Sequence, residues 1–240
     1  MSDNVITAAR HCNKAGLTDY LCSGCHIKGD DFMESKFPYV VFIGHGSLKF
    51  VTQKGKIIYV DPAFPGGDYS QPADIILITH HHSDHDKEEL VTKSEDCFVV
   101  LPKDVLKEDV YSVIERDGIK ITAVEAYNKN HSRNECVGYV INFDGINIYC
   151  AGDTSKTDDM ANKLPSMKID YAFLPIDGFY NMDPKEASEC ARLINPRHAL
   201  PIHNDPKSME TGEFYETGLD KFNHIGKIVL KHGEMLELKI

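Results

Sequence analysis

Residues 80 to 85 read His80-His81-His82-Ser83-Asp84-His85, directly behind the apolar run Ile75-Ile76-Leu77-Ile78 and Thr79. A continuous apolar run of this length is expected of a strand buried on both faces. The chain must therefore bury that strand and deliver imidazoles and a carboxylate at its end. Imidazole is the commonest nitrogen ligand for zinc and its neighbours, and a carboxylate suits a second ion or a bound water. In an extended segment alternate side chains share a side, so His80 and His82 can converge on one ion. Asp84 and His85 come where Asp86-Lys87-Glu88-Glu89-Leu90 reads as the start of a helix, and can face a second ion.

Other candidate groups follow at the ends of further apolar runs. Val60-Asp61-Pro62 closes an early strand, and Gly44-His45-Gly46-Ser47 joins the runs 39–43 and 47–52. His131 lies in the polar loop Tyr127-Asn128-Lys129-Asn130-His131. Asp153 sits in Ala151-Gly152-Asp153-Thr154, and His203 in Pro201-Ile202-His203. Taken alone, His131 reads as a surface histidine, Asp153 as a turn residue and His203 as a turn cap. Their order along the chain changes that reading.

His-x-His-x-Asp-His, taken with these motifs in their order along the chain, resembles the metallo-β-lactamase-fold hydrolases, and Gly44-His45-Gly46-Ser47 is similar to that fold's opening hairpin. Val137-Gly138-Tyr139-Val140-Ile141 and Leu174-Pro175-Ile176-Asp177-Gly178 are similar to one branch, the metal-dependent hydrolases related to the ascorbate-phosphate lactonases. The resemblance covers residues 39–240 and implies a four-layer αββα sandwich of the α/β class. It implies one metal at His80, His82 and His131, a second at Asp84, His85 and His203, and Asp153 bridging them. Asp61 would support the loop that carries the histidine cluster. Between two such cations water loses a proton near neutral pH, and the hydroxide attacks a carbonyl carbon or a phosphorus. Asp84 is the expected catalytic residue, orienting that hydroxide. Donors without thiolate admit zinc first, then manganese or iron.

Bulk properties narrow the function. A net charge of -11 opposes an extended nucleic-acid surface, which needs clustered Lys and Arg. An apolar share of 42% supports a sizeable core. No apolar run reaches membrane-spanning length, and the first residues lack a secretory signal. The cysteines are scattered and number seven, so a cytoplasmic chain with reduced thiols is the simplest expectation. The expected partner is a small-molecule substrate; a homo-oligomer stays open.

The alternation of strands and helices predicts strands near 39–43, 47–52, 56–60, 74–79, 97–101 and 119–126. Val137 to Phe143 and Ile146 to Cys150 form a hairpin about Asp144-Gly145. Strands over 170–176 and 198–202 and a closing hairpin from Lys227 to Lys231 and Glu234 to Ile240 complete the set. Helices are expected over 86–94, 157–164, 184–194 and 210–222, the third capped by Asp183 with Pro184 at its first position. Residues 1–38 are read as an extension and 39–240 as one catalytic domain.

Within the extension, Cys22-Ser23-Gly24-Cys25-His26 fits a haem-attachment pattern, and Cys12, Cys22, Cys25 and His26 could hold a structural zinc or an iron–sulfur cluster. Reduced cysteines in a packed extension remain the simpler reading. Cys150 stands where the resembled branch usually has His. Asp177, Tyr180 and Met182 are expected to border the pocket, while His11, His198, His224 and His232 match nothing in the set. Competing functions are a metal-binding or redox-sensing protein using the N-terminal cysteines, and an RNA-processing nuclease of the same superfamily. A flavodiiron-type oxidoreductase is disfavoured, because it carries Glu where His82 stands.

Overall fold

The computed structural model describes residues 38–240. The extension, with Cys12, Cys22, Cys25, His26 and His11, lies outside the described residues. Strands β1 (Tyr39–Gly44), β2 (Ser47–Val51), β3 (Ile57–Val60), β4 (Ala73–Leu77) and β5 (Lys93–Val100) come first. Helix α1 (Pro102–Val105) leads to a small hairpin, β6 (Leu106–Lys107) and β7 (Val110–Tyr111). Then come β8 (Val113–Arg116), β9 (Ile119–Glu125), β10 (Val137–Phe143) and β11 (Ile146–Cys150). Helix α2 (Asp158–Asn162), β12 (Tyr171–Pro175), α3 (Pro184–Ile194), β13 (His198–Ile202), α4 (Ser208–Thr211) and β14 (Glu234–Glu237) complete the chain.

These strands form two six-stranded sheets, ordered β14-β1-β2-β3-β4-β5 and β13-β12-β11-β10-β9-β8. Their inner faces meet in one apolar core: Val40, Phe42, Phe50 and Ile75 from the first sheet pack on Ile121, Tyr139, Ile141 and Phe173 from the second. Phe50 meets the rings of Phe173 and Phe143 edge-on, at 5.7 and 6.2 Å between centroids. Truncating such a buried ring to Ala costs about 3–5 kcal/mol.

Helices α2 and α3 cover the outer face of the second sheet, where Met160, Ala187, Cys190 and Ile194 pack on Val140, Tyr149 and Leu174. The outer face of the first sheet is covered differently. Phe64, Tyr69 and Val91 from its loops, with Met209 of α4, cover Tyr59, Ile76 and Ile78. The expected sandwich is present, with its helical layer over the first sheet reduced to short turns. No helix among the described residues is long and apolar enough to cross a membrane.

Helix α3 has the predicted bounds, and the Asp183 carboxylate accepts from the N–H groups of Lys185 and Glu186. The hairpin turn is also as predicted. Asp144 and Gly145 both adopt left-handed φ, 52° and 78°, which matches the twist of two antiparallel strands.

Other expectations fail for local reasons. Instead of a helix over 86–94, only Glu88–Leu90 makes a single turn, and none of its residues is buried. The one buried apolar residue of the segment, Val91, packs on the first sheet from beyond that turn, and the segment then yields to β5, whose Lys93 pairs with Ala73. The helix expected over 210–222 stops at Thr211, because Gly212 and Gly218 both take φ of 73°. Lys227 to Lys231 makes one bridge, Lys227 to Ala199, rather than half of a hairpin. Its expected partner β14 pairs with β1 instead.

Strand direction decides where the chemistry goes. β3, β4 and β5 run parallel, and β1 shares their direction because β2 is antiparallel to both of its neighbours. In the second sheet β11, β12 and β13 run parallel, and β9 shares their direction through β10. Side chains that follow these strands can therefore meet outside their carboxyl ends, the usual position of an α/β site.

Candidate metal centre

Each proposed ligand follows one of these strands: His80 to His85 after β4, His131 after β9, Asp153 after β11, His203 after β13. The structure brings them together at one rim. The rings of His80, His82 and His131 lie 4.7–4.9 Å apart between centroids. Asp153 Oδ1 lies 3.2 Å from His85 Nε2, and its Oδ2 lies 3.4 Å from both His131 Nε2 and His203 Nε2. Asp84 Oδ2 lies 3.8 Å from His85 Nε2 and 3.7 Å from His203 Nε2. Asp153 is thus placed between the two halves of the cluster.

The outer nitrogen of most of these rings is held by a neighbour. Thr79 Oγ1 donates its hydrogen to Asp61 Oδ2 at 2.6 Å, so it accepts from His80 Nδ1 at 3.0 Å. Asp61 Oδ2 also accepts from His85 Nδ1 at 2.8 Å. His131 Nδ1 donates to Asn128 Oδ1 at 2.9 Å; His203 Nδ1 has only an ion-pair contact, 2.9 Å from Asp177 Oδ2, without hydrogen-bond geometry. A protonated Nδ1 leaves Nε2 as a free lone pair aimed inward, the arrangement that metal-binding histidines use.

The inner atoms lack matching partners. His80 Nε2, His85 Nε2, His203 Nε2 and Asp153 Oδ1 are buried without a hydrogen bond. Buried polar atoms are normally satisfied, and so many acceptors facing one another call for a cation. Imidazoles and carboxylates at these separations fit a divalent ion.

Electrostatics agree. Burial opposes a charge on Asp153, but the surrounding His203 and His85 outweigh it and hold the carboxyl well below its ordinary range. Asp84 behaves alike: burial raises its pKa, while His203 and His45 hydrogen bonding brings it far down. Burial works against protonated His203, yet the Asp153, Asp177 and Asp84 carboxylates raise it to about 10. Burial likewise opposes a proton on His85, yet the Asp153 and Asp61 carboxylates raise it well above its ordinary range. His80 and His131 are pushed down, chiefly by burial.

Local backbone makes the cluster possible. Gly152 has φ of 64°, and a Cβ there would sit 2.9 Å from Thr79 Cβ, so glycine lets the Asp153 loop close on the histidine loop. Asp61 also accepts from the Thr79 N–H at 2.7 Å, which matches its expected supporting role. His81 instead points out, half-exposed, and pairs with Asp86.

Three residues stand apart from the sequence reading. Asp177 sits behind His203 rather than at the pocket border, accepting from the N–H groups of Phe179, Tyr180 and Asn181. Met182 is wholly buried under the helices, because its side chain joins the apolar cluster around Leu174 and Ala187; it does not border the pocket. His45 lies beside the ligand set without belonging to it by sequence pattern. It lies 1% exposed with Nε2 3.3 Å from Asp84 Oδ2, and burial, with His203 beside it, lowers its pKa to about 4. Its signal was a histidine in the hairpin turn, between two glycines.

Tyr180 is 45% and Phe179 66% exposed, and the side chains of Asn128 and Asn130 donate to the Tyr180 carbonyl. Cys150 is buried against the core and lines a small cavity behind the site with Asp61, His85, Asp153 and His203.

Comparison with known proteins points the same way. Residues 39–203 match the β-lactamase superfamily domain. The chain is 35% identical over 227 residues to a UPF0173 metal-dependent hydrolase of Thermococcus onnurineus, covering 83% of this chain and 99% of that protein. It is similar to a solved structure described as a metal-dependent hydrolase from Parabacteroides distasonis, with 31% identity, TM-score 0.64, and coverage of 80% of this chain and 92% of that one. The fold is shared with Igni18, a metallo hydrolase of Ignicoccus hospitalis, at TM-score 0.64 and 20% identity over 85% of this chain and 99% of that one.

Proposed function

This chain belongs to the β-lactamase superfamily as a metal-dependent hydrolase, and we propose that it uses two divalent metal ions to hydrolyse a small ester, either a lactone or a phosphoester. The observation that carries this reading is the set of inward Nε2 atoms left without partners around Asp153. His80, His82 and His131 would hold one ion, and Asp84, His85 and His203 the other, with Asp153 serving both. Zinc suits this donor set first, and manganese or iron next.

Ions bound there would supply an acidified water and polarise the oxygen that gains charge. The remaining work falls to the chain. Asp61 and Asn128 hold the outer nitrogens of His85 and His131 by hydrogen bonds, and the Asp177 carboxylate lies 2.9 Å from that of His203. Asp84 is the more exposed carboxylate of the centre, 32% against 4% for Asp153. Being ionised, it accepts a hydrogen bond from the attacking water and takes up the proton on its way to the leaving group. Phe179 and Tyr180 present exposed rings on the loop that holds Asp177 and would contact the acyl or alkoxy portion of the substrate. The -11 charge favours a compact substrate over an RNA chain.

Elemental analysis of the purified, metal-supplemented chain, followed by assays on lactones and phosphodiesters, tests the proposal. About two ions per chain and turnover of one ester class are expected. Folded protein holding only a trace of metal would overturn the two-ion reading, and turnover confined to RNA would overturn the substrate class.

A further inference from the structure

His45 is built like the proposed ligands. Its Nδ1 lies 3.0 Å from Ser208 Oγ, and that hydroxyl already donates its one hydrogen to Asp205 O at 2.8 Å. Ser208 must therefore accept, and the proton sits on His45 Nδ1. This repeats the arrangement of His80 on Thr79. The ring is buried against His203, with 3.6 Å between centroids. With Nδ1 turned to Ser208, the ring presents Nε2 to Asp84 Oδ2 at 3.3 Å. Two acceptors at that distance are favourable only with a cation between them.

The spacing suits a shared ion. Ligand atoms of His45, Asp84, His85 and His203 all lie within 4.8 Å of one another. Atoms about 2.1 Å from one ion stand roughly 3.4 Å apart in a tetrahedral set, and the contacts to Asp84 Oδ2 are 3.3, 3.7 and 3.8 Å. The backbone is also committed. His45 takes φ of 54°, a conformation uncommon outside glycine, and its carbonyl accepts from His203 N at 3.0 Å. Gly46 lets the turn close on His85, because a Cβ there would sit 2.8 Å from His85 Cε1.

We propose that His45 Nε2 is a direct ligand of the ion held by Asp84, His85 and His203. The inference rests on the two-ion reading above and adds to it a histidine from the first hairpin.

The test is Zn²⁺ binding by the stripped full chain in competition with a chromogenic chelator, together with the visible spectrum of the Co²⁺-loaded protein. Wild type should take up two ions. His45→Ala should keep the first and bind the second more than about 100-fold more weakly, since even residues that only support ligands are worth 10–100-fold. His45→Gln should remain as weak, and the Co²⁺ bands of the second ion should shift in both variants. Recovery by His45→Gln to within about 10-fold of wild type would show that His45 only donates a hydrogen bond to Asp84. That result, or unchanged second-ion affinity in His45→Ala, overturns the inference and leaves the two-ion reading intact. A wild-type chain that binds one ion overturns both. Should the His45 variants fail to fold, Ser208→Ala removes only the partner of Nδ1; a second-ion affinity lower by roughly 10-fold supports the inference, and an unchanged one overturns it.

Discussion

The Asp61 carboxylate lies 2.8 Å from Nδ1 of His85, with both side chains almost fully buried. The same carboxylate takes the N–H and hydroxyl of Thr79, so one group fixes both the start and the end of the histidine loop. Asp61→Ala removes no proposed ligand, yet should lower the affinity of the ion at His85 by roughly 10–100-fold. Chelator competition on folded variant protein measures this. Wild-type affinity would show that Asp61 holds the loop without orienting the ring.

Asp153 touches His85, His131 and His203, so Asp153→Ala should release at least one ion and nearly all activity. His232 packs edge-on against Phe42, Phe64 and Phe214, and His232→Ala should leave the metal content alone. Equal metal loss in the two variants, measured by elemental analysis, would refute this separation of ligand from bystander.

Much of this centre was legible in the sequence, because ligand chemistry at the ends of apolar runs leaves a local mark. His80, His82, Asp84, His85, His131, Asp153 and His203 all reach one rim, and the strand runs that carry them were visible as periodicity. What could not be read was direction. That β1 points the same way as β4, and β9 the same way as β11, depends on strand pairing within each sheet, so the sequence alone does not carry His45 to the site. The failed helices have a different cause. The segment 86–94 has helix-forming residues but buries only Val91, not a helical stripe, and tertiary pairing of β5 overrode propensity. Met182 looked like a pocket residue by its place after Asp177, whereas the turn sends it under α3.

In the metal-free chain the carboxylates raise His203 from 6.5 to about 10, and they raise His85 as well. A raised value means that the charged form stabilises the fold fully below about 6.5 and loses that contribution as pH climbs through about 10. Metal and proton compete for the same nitrogen, so metal affinity should rise across this window while metal-free stability falls. Melting temperatures of chelator-treated and metal-loaded protein over the window check both signs. Parallel curves would mean that protons are not displaced by the ions.

Gly152→Ala puts a methyl group against Thr79 at left-handed φ. Forcing a non-glycine residue into such a conformation costs about 1–3 kcal/mol, before the clash itself is relieved. Because Thr79 also supports His80, the variant should melt lower and bind metal more weakly together. A lower melting temperature with unaltered metal affinity would separate the fold from the site.

Asp84 is the one proposed ligand that is also proposed to move a proton. Its Oδ2 faces His45, His85 and His203, and its exposure, greater than that of Asp153, leaves it within reach of substrate. Asp84→Asn keeps the shape and an oxygen that can bind metal, but the amide accepts a proton far less readily. We expect kcat to fall by roughly 10²–10⁴, the contribution of a positioned acid or base. KM should change much less if the interaction belongs to the transition state. Metal content must be measured on the same sample, because loss of an ion would lower kcat for another reason. A fully metallated Asp84→Asn enzyme with near-normal kcat would remove Asp84 from proton transfer and leave it as a ligand alone.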